Sequence, residues 1–200
     1  MQLLIATRNS GKIPEIQKVL EGLSIEVVGL SDIPSISAHE DVEEPAETFE
    51  GNALIKAIMW GTKANILTLA DDSGLAVDTL EDWPGVKTAR IAPNDDARND
   101  CILEKTKHIP EGERGAALHC VIALYDPLQK KVRVAHGKAQ GHILQQPEGT
   151  GGFGVDPIFY YDEAGKSGGL LTLEEKNTVS HRGKAMQAAR AILEQEFMGA

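Results

Sequence analysis

The chain has 200 residues, 42% of them hydrophobic, and a formal net charge of −10 at pH 7. This length and apolar content predict a folded protein with a real hydrophobic core, which excludes a disordered chain. The net negative charge disfavours binding to nucleic acids or anionic membranes, but it is compatible with a small phosphorylated substrate carried with a divalent cation.

The N-terminal segment predicts a β-α-β unit. The apolar run Leu3–Ala6 is typical of a buried strand, Gly11–Leu23 has the periodicity of an amphipathic helix, and Ile25–Leu30 is typical of a second strand. A strand, a helix and a strand in this order favour two parallel strands joined by a right-handed crossover.

The middle of the chain alternates between helices and short strands. Periodicity predicts helices over Thr48–Ile66 and Asn94–Ile109. Between them, Leu67–Ala70 and Leu75–Leu80 are predicted as short strands on either side of a DDSG turn.

The rest of the chain predicts a hairpin and a terminal helix. Ala117–Asp126 and Lys130–Gly141 form a long antiparallel hairpin, and Ser180–Phe197 forms the last helix. Mixed strand directions with several helices predict an α/β or α+β fold. No repeat or linker interrupts the sequence, so residues 1–200 are predicted as a single domain with two lobes, whose crevice would bind a ligand.

The cysteines and the N-terminus bear on the location of the protein. Cys101 and Cys120 form no CxxC pattern, which favours two reduced thiols over a disulfide. The N-terminal apolar run is too short for a signal peptide, and no run reaches the roughly 18 apolar residues that a membrane-spanning helix needs. We therefore expect a cytoplasmic protein.

The loop TRNSGK at Thr7–Lys12 raises the question of phosphate binding. A P-loop has the pattern GxxxxGK[ST]; here the upstream glycine is absent and Ile13 follows the lysine, so a P-loop is excluded. Asn9, the amides near Gly11 and the Lys12 ammonium can still bind an anion at a helix N-terminus. An ordinary polar loop fits the same pattern.

Two further stretches contain residues typical of phosphate and metal binding. On a helix, Thr48, Asn52 and Lys56 share one face, which suits either phosphate oxygens or a solvated surface. The two adjacent carboxylates of the ADDSGL stretch indicate a Mg²⁺ site if Glu43 or Glu44 joins them, and otherwise an Asp-rich turn.

Two stretches near the C-terminus suit a nucleotide. The glycine-rich segment Gly149–Phe159 allows close approach of a ligand, and Phe153 offers a ring face for a base; a flexible loop is the alternative. Ser180 is predicted to cap a helix, so His181 and Arg182 fall in its first turn. Cations in the first turn oppose the helix dipole, and an anion or a nucleotide facing them would compensate for this. A surface-exposed pair is the alternative.

Taken in order, six motifs resemble those of the inosine-triphosphate pyrophosphatase family, which is also called Ham1-like. Each motif alone is weak, but six in order are specific, and they span nearly the whole chain. They are TxNxGK at Thr7–Lys12, the E…TFxxNAxxKA run at Glu43–Ala57, ADDSGL at Ala70–Leu75, PGVKTAR at Pro84–Arg90, GGFGxDPIF at Gly151–Phe159 and KNxxSHRxxA at Lys176–Ala185.

The resemblance implies both a fold and an activity. The fold is α/β, with an elongated mixed β-sheet, flanking helices and two lobes around a central nucleotide-binding cleft, in a homodimer. The activity is Mg²⁺-dependent hydrolysis of ITP, dITP and XTP to the nucleoside monophosphate and pyrophosphate, which removes aberrant purine nucleotides from the pool. The substrate is thus a small molecule, a purine nucleoside triphosphate.

The resemblance also implies roles for individual residues. Asp72 and Lys56 are catalytic, with Asp72 as the base toward the attacking water, and Glu43 and Asp72 bind the metal. The implied substrate-binding residues are Thr7, Arg8, Asn9, Ser10, Gly11, Lys12, Ser73, Phe153, Gly154, Val155, Asp156, Lys176, His181 and Arg182.

Four positions depart from the family pattern and keep alternatives open. Leu170 replaces an acidic residue that is common in the family, and Arg8 and Ile91 differ from frequent choices at their positions. Val155 stands where the family usually has tyrosine or tryptophan, so base stacking rests mainly on Phe153. The alternatives are the same reaction with altered base selectivity, or a nucleotide-binding module without catalysis.

Overall fold

The computed structural model describes residues 1–198, which divide into two compact units. Unit 1 comprises Met1–Asp72, Cys120–His136 and the chain from Ala185 onward. Unit 2 comprises Ser73–His119 and Gly137–Lys184. Within residues 1–198, no helix has both the length and the apolar composition required to cross a lipid bilayer.

The strands belong to one mixed sheet. They are β1 (Gln2–Ile5), β2 (Glu26–Gly29), β3 (Thr68–Val77), β4 (Trp83–Pro84), β5 (Gly115–Asp126), β6 (Lys131–Ile143), β7 (Phe159–Tyr161) and β8 (Lys166–Ser167). The strand order is β2-β1-β3-β5-β6-β7-β8, and β4 pairs with β3. β1 runs parallel to β2 and to β3, whereas β6, β7 and β8 pair antiparallel. The predicted mixed α/β architecture is therefore confirmed.

Five α-helices accompany the sheet in the described part of the chain. They are α1 (Lys12–Leu20), α2 (Phe49–Ala64), α3 (Asp95–Thr106), α4 (Leu173–Val179) and α5 (His181–Ile192), and α5 continues into a π-helical turn at Leu193–Phe197. Thr48 and Asn94 begin α2 and α3, because their side chains accept the amides of Gly51 and Ala97. The predicted helices thus form close to the predicted positions.

Helix α4 was not predicted, although the sequence carries its signal. Thr172 Oγ1 accepts the Glu175 amide at 3.2 Å, and the Glu175 carboxylate accepts the Thr172 amide at 2.8 Å. This reciprocal capping box satisfies two amides that the helix itself leaves without acceptors. Ser180 then follows α4 and accepts the Gly183 amide at 3.0 Å, so its predicted capping of the last helix is confirmed.

The predicted turn at ADDSGL is wrong, because β3 runs without interruption from Thr68 to Val77. Successive residues of a strand point to opposite faces of the sheet. Asp71 and Asp72 therefore face opposite sides, and each finds a lysine there, Lys12 at 2.9 Å and Lys56 at 3.4 Å. Two buried carboxylates are acceptable within a strand because each has its own cation.

Each unit has its own hydrophobic packing. In unit 1, odd-numbered residues of β1 and β3 such as Leu3 and Leu69 pack with α1 and α5, and even-numbered residues such as Leu4 pack with α2. This alternation gives unit 1 a cluster on each face of its strands. Unit 2 has a single large cluster, in which Ile102 of α3 and Val155 share the core with residues of β3, β5, β6 and β7.

Candidate active site

The loop after β1 in unit 1 is shaped by its own polar groups. Thr7 Oγ1 accepts the Asn9 amide at 3.2 Å, and Asn9 Oδ1 accepts the Gly11 amide at 2.9 Å. Lys12 opens α1, and its ammonium lies 2.9 Å from the buried Asp71 carboxylate. The loop is therefore a folded turn that holds a lysine in the first turn of a helix.

Arg8, in the same loop, is engaged with a neighbouring segment of unit 1. Its guanidinium donates to the carbonyls of Ser37 at 2.8 Å and Glu40 at 2.9 Å, and it lies 5.8 Å from the centre of the Trp60 ring. Ser10, in the same loop, is exposed. Arg8 thus links the loop after β1 to the segment at Ser37 and Glu40, which precedes α2.

The densest group of charges in unit 1 surrounds Asp72. Lys56 of α2 forms an ion pair with Glu44 and lies 3.4 Å from Asp72 Oδ1. Asn52, one turn earlier on the same helix face, donates to Asp72 Oδ2 at 3.3 Å. The predicted grouping of Asn52 and Lys56 on one face is confirmed, and that face is directed at a carboxylate of β3.

Of the two adjacent glutamates that precede α2, Glu44 and not Glu43 contacts Lys56 beside Asp72. Glu44 is half-buried and pairs with Lys56, whereas Glu43 is exposed to solvent. The structure therefore separates these two neighbouring carboxylates by their exposure and by the contact with Lys56. The assignment of Glu43 as a metal ligand stays a prediction, and Glu44 is the carboxylate that the structure groups with Asp72 through their shared lysine.

The protonation behaviour of Asp72 and Lys56 reflects this crowding. Burial raises the pKa of the Asp72 carboxyl above its usual value and Glu44 raises it further, while Lys56, Lys12 and Asn52 oppose the rise. Burial alone would lower the pKa of Lys56, but the carboxylates of Asp71, Asp72 and Glu44 raise it above its usual value. The structure thus combines a permanent cation with a carboxylate that is more basic than one in water.

The donor set around Asp72 fits a hard divalent cation. Residues 1–198 contain no group of three or more His, Cys, Asp or Glu side chains placed to hold a metal ion. Mg²⁺ does not need such a group, because it keeps several waters and usually takes one or two carboxylates together with substrate phosphates. Asp72 and Glu44, both ion-paired with Lys56, meet that requirement.

In unit 2, two cations lie against the ring of Phe153. Lys176 Nζ is 4.6 Å and Arg182 Cζ is 5.4 Å from the ring centre. Arg182 also donates to Ser73 Oγ at 3.0 Å, and the preceding residue, His181, is buried at the start of α5. An aromatic face with guanidinium and ammonium donors beside it can stack a flat ring and hydrogen-bond its acceptor atoms.

The buried residue Asp156 holds Phe153 and Lys176 in position. Its carboxylate is 2% exposed, accepts the Phe153 amide at 2.7 Å and the Tyr161 hydroxyl at 3.3 Å, and forms an ion pair with Lys176. The carboxylate is thus occupied by protein donors. Its side chain orients Lys176 and the Phe153 backbone.

Val155 points into the core of unit 2. Its side chain is 8% exposed and belongs to the same hydrophobic cluster as Ile158 and Phe159. The preceding residue, Gly154, has a φ of 63°, a left-handed conformation that glycine adopts without strain. Val155, which departs from the family pattern, is therefore a packing residue in this chain.

The sequence and the fold both have close counterparts among known proteins. The sequence profile of the Ham1 family matches residues 3–192. A Bacillus cereus relative named dITP/XTP pyrophosphatase is 42% identical over 202 residues, covering 99% of this chain and 97% of the relative. A Geobacter sulfurreducens relative of the same name is 44% identical over 188 residues, covering 92% of each.

Solved structures agree with the sequence comparison. The structure of a HAM1 protein from Coxiella burnetii superposes with a TM-score of 0.85 at 34% identity, covering 98% of this chain and 99% of the other. The mixed α/β fold, with Lys56, Glu44 and Asp72 grouped in unit 1, suits the binding of phosphates with a divalent cation. The chain belongs to the Ham1 family, as its motifs predict.

Proposed function

We propose that the protein is a Mg²⁺-dependent nucleoside-triphosphate pyrophosphatase that hydrolyses ITP, dITP and XTP to the monophosphate and pyrophosphate. The dITP/XTP pyrophosphatase relatives support the activity, since they cover nearly the whole chain. One observation carries the proposal: the buried Asp72 carboxylate lies beside Lys56, which also pairs with Glu44.

The residues of unit 1 suit the phosphate chemistry. Hydrolysis of a phosphoanhydride requires neutralised charge on the phosphate oxygens and an oriented water, with no covalent nucleophile. Lys56 beside Asp72, and Lys12, whose charge also acts on Asp72, would supply positive charge. The buried Asp72 carboxylate would accept the proton of the attacking water. Bound Mg²⁺, held by Asp72 with Glu43 or Glu44, would further neutralise phosphate oxygens.

The remaining polar residues of the first loop would complete phosphate binding. Thr7, Asn9 and Gly11 form its folded turn, and Ser10 is exposed beside them. Because the amides of Asn9 and Gly11 already bond within this turn, an anion here would be attracted by the Lys12 ammonium and the positive end of the helix dipole.

The residues of unit 2 suit a 6-oxo purine. Phe153 would stack the base, and Lys176, His181 and Arg182 would offer donors to its oxygen. Adenine presents an amino group at that position, so the same donors would be left without acceptors. A mismatch of buried polar groups can change relative rates by several powers of ten.

The assembly and setting follow from the same family resemblance. We expect a homodimer in the cytoplasm whose partner is a small-molecule substrate rather than a nucleic acid. The net charge of −10 supports the last point, because it repels phosphate polymers. Size-exclusion chromatography with light scattering would measure the oligomeric state directly, and a mass of one chain would contradict the dimer.

The test is a panel of nucleotides assayed for pyrophosphate release with Mg²⁺ and again with EDTA. We expect release from ITP, dITP and XTP, little from ATP, and none with EDTA. Orthophosphate as the product would contradict the proposed bond cleavage. Rapid release from GTP or dUTP would support the alternative of altered base choice, and binding of ITP without turnover would support a nucleotide-binding module.

A further inference from the structure

Helix α3 bonds to both polar backbone groups of Gly154, in the middle of the glycine-rich loop of unit 2. Asp95 Oδ2 accepts the Gly154 amide at 2.7 Å, and Asn99 Nδ2 donates to the Gly154 carbonyl at 2.9 Å. Asp95 and Asn99 are one helical turn apart, so they present their polar atoms to the same residue. No motif of the sequence analysis includes either residue as a functional one.

The helix that supplies these two contacts is itself fixed in unit 2. Ile102, a few residues further along α3, is fully buried in the same hydrophobic cluster as Val155. Arg98 pairs with Asp95 and donates to the Ala89 carbonyl at 3.3 Å. Asp95 is therefore held in place by a neighbour. A rigid support of this kind keeps a binding group in its productive geometry.

The two contacts constrain the backbone on both sides of Gly154. The Gly154 amide belongs to the peptide plane shared with Phe153, and the Gly154 carbonyl belongs to the plane shared with Val155. Because peptide bonds are planar, holding both groups fixes the chain on either side of Gly154. Phe153 then faces Lys176 and Arg182 on one side of this point, and Val155 enters the core on the other.

We propose that Asp95 and Asn99 are positioning residues for base selection, acting through Gly154 on the orientation of Phe153. This role rests on the proposed function, since it assigns the base to the Phe153 face. Neither side chain needs to touch the nucleotide. The loop contains four glycines, at Gly149, Gly151, Gly152 and Gly154, and glycine restricts the backbone little. The hydrogen bonds from α3 supply the restriction that these residues do not.

The test compares Asp95→Ala, Asn99→Ala and the double variant with the control Asp96→Ala. Asp96 also lies in the first turn of α3 but is exposed, so its removal costs the same favourable charge at the helix N-terminus. Two readouts are measured. Hydrogen exchange follows the amides of the loop without nucleotide, and steady-state kinetics gives kcat and KM for ITP and ATP.

In both single variants we expect loop amides to exchange about tenfold faster, because each lost hydrogen bond makes local opening easier. We expect KM for ITP to rise and the ratio of kcat/KM for ITP over ATP to fall by about tenfold, with kcat changed less than about threefold. The double variant would lose little more than either single variant, since both act on one residue. Asp96→Ala would match the wild type.

Two results would overturn the inference. Unchanged exchange in both single variants would show that α3 does not hold the loop. Faster exchange with an unchanged ITP-to-ATP ratio would show that the loop does not select the base. Absence of pyrophosphate release by the wild type is a separate result, which would instead overturn the proposed function; the exchange readout does not depend on it.

Discussion

The two units use different means to organise their functional residues. In unit 1, charged side chains from α1, α2 and β3 pair with one another, as in Lys12 with Asp71 and Lys56 with Asp72. In unit 2, Gly154 is held through its backbone atoms, and Val155 is held by packing. The first arrangement provides charges that can act on phosphates and water, and the second provides shape that can select a base. Substitutions in the charged group of unit 1 should therefore lower kcat or raise the Mg²⁺ requirement, and loss of the hydrogen bonds to Gly154 should mainly alter selectivity.

Among substitutions that separate the roles of the two units, Lys56→Gln is expected to lower activity the most. The substitution removes the cation shared by Glu44 and Asp72, so two carboxylates lose their partner and the phosphate site loses a charge. We expect kcat for ITP to fall by at least about a hundredfold, as for other removed electrostatic groups. Lys63→Gln is the matched control, because Lys63 lies on the same helix and pairs with Glu40. An equal loss of kcat in both variants would contradict the assignment.

A somewhat smaller effect separates the two adjacent glutamates. Glu44→Gln removes the carboxylate that faces Lys56, whereas Glu43→Gln removes an exposed one. If Glu44 is the ligand, its variant needs about tenfold more Mg²⁺ for half-maximal activity and Glu43→Gln does not. Metal titrations of both variants measure this. The opposite ranking would support the ligand predicted from the family motif.

Arg8→Gln should have a moderate effect on the same titration. Arg8 donates to the Ser37 and Glu40 carbonyls, so its loss loosens the segment that leads to the two glutamates. We expect the Mg²⁺ requirement to rise by about threefold to tenfold. Arg190→Gln is the matched control, because Arg190 also donates to two backbone carbonyls, those of Val19 and Glu21, in another part of unit 1. A normal Mg²⁺ requirement in Arg8→Gln would remove Arg8 from the site.

For Val155, the contrast predicts an effect on stability. Val155→Ala removes two methyl groups from the core of unit 2, and we expect the free energy of unfolding to fall by about 2 kcal/mol. Urea denaturation measures the change. A loss of ITP selectivity with unchanged stability would contradict the packing role and return Val155 to the base-binding surface.

The smallest expected effect is a pH dependence of stability caused by Glu196, which belongs to neither the Asp72 group nor the Phe153 group. Hydrogen bonds from Arg133 and Lys131 lower the pKa of the exposed Glu196 to about 2. Its ionised form therefore adds stability above the unfolded pKa of about 4.5, and this contribution is lost as the pH falls through about 2. The difference in unfolding free energy between wild type and Glu196→Gln should shrink between about pH 6 and about pH 3. A difference that stays constant would contradict the ion pairs.

The sequence predicts local features of this molecule better than long-range pairings. The β-α-β opening and the face shared by Asn52 and Lys56 follow from periodicity, and both are confirmed. The turn at Asp71 and Asp72 was wrong, because two adjacent carboxylates suit a buried strand only when lysines distant in sequence pair with them.

Other features depend on contacts that a single sequence does not reveal. Only the folded chain distinguishes Glu44 from Glu43. Asn99 and Gly154 are 55 positions apart, and no local pattern links them. The capping box at Thr172 was readable from the sequence and marks α4. The single two-lobed domain over residues 1–200 stays a prediction.

The Asp72→Asn substitution tests whether Asp72 activates the water that cleaves the triphosphate. ITP binding by calorimetry and pyrophosphate release are measured on the same sample, with Asp126→Asn as the control for a buried aspartate bonded to backbone amides. We predict that Asp72→Asn still binds ITP while kcat falls at least about a hundredfold, and that Asp126→Asn keeps its turnover. Turnover by Asp72→Asn at the wild-type rate would show that Asp72 does not activate the water.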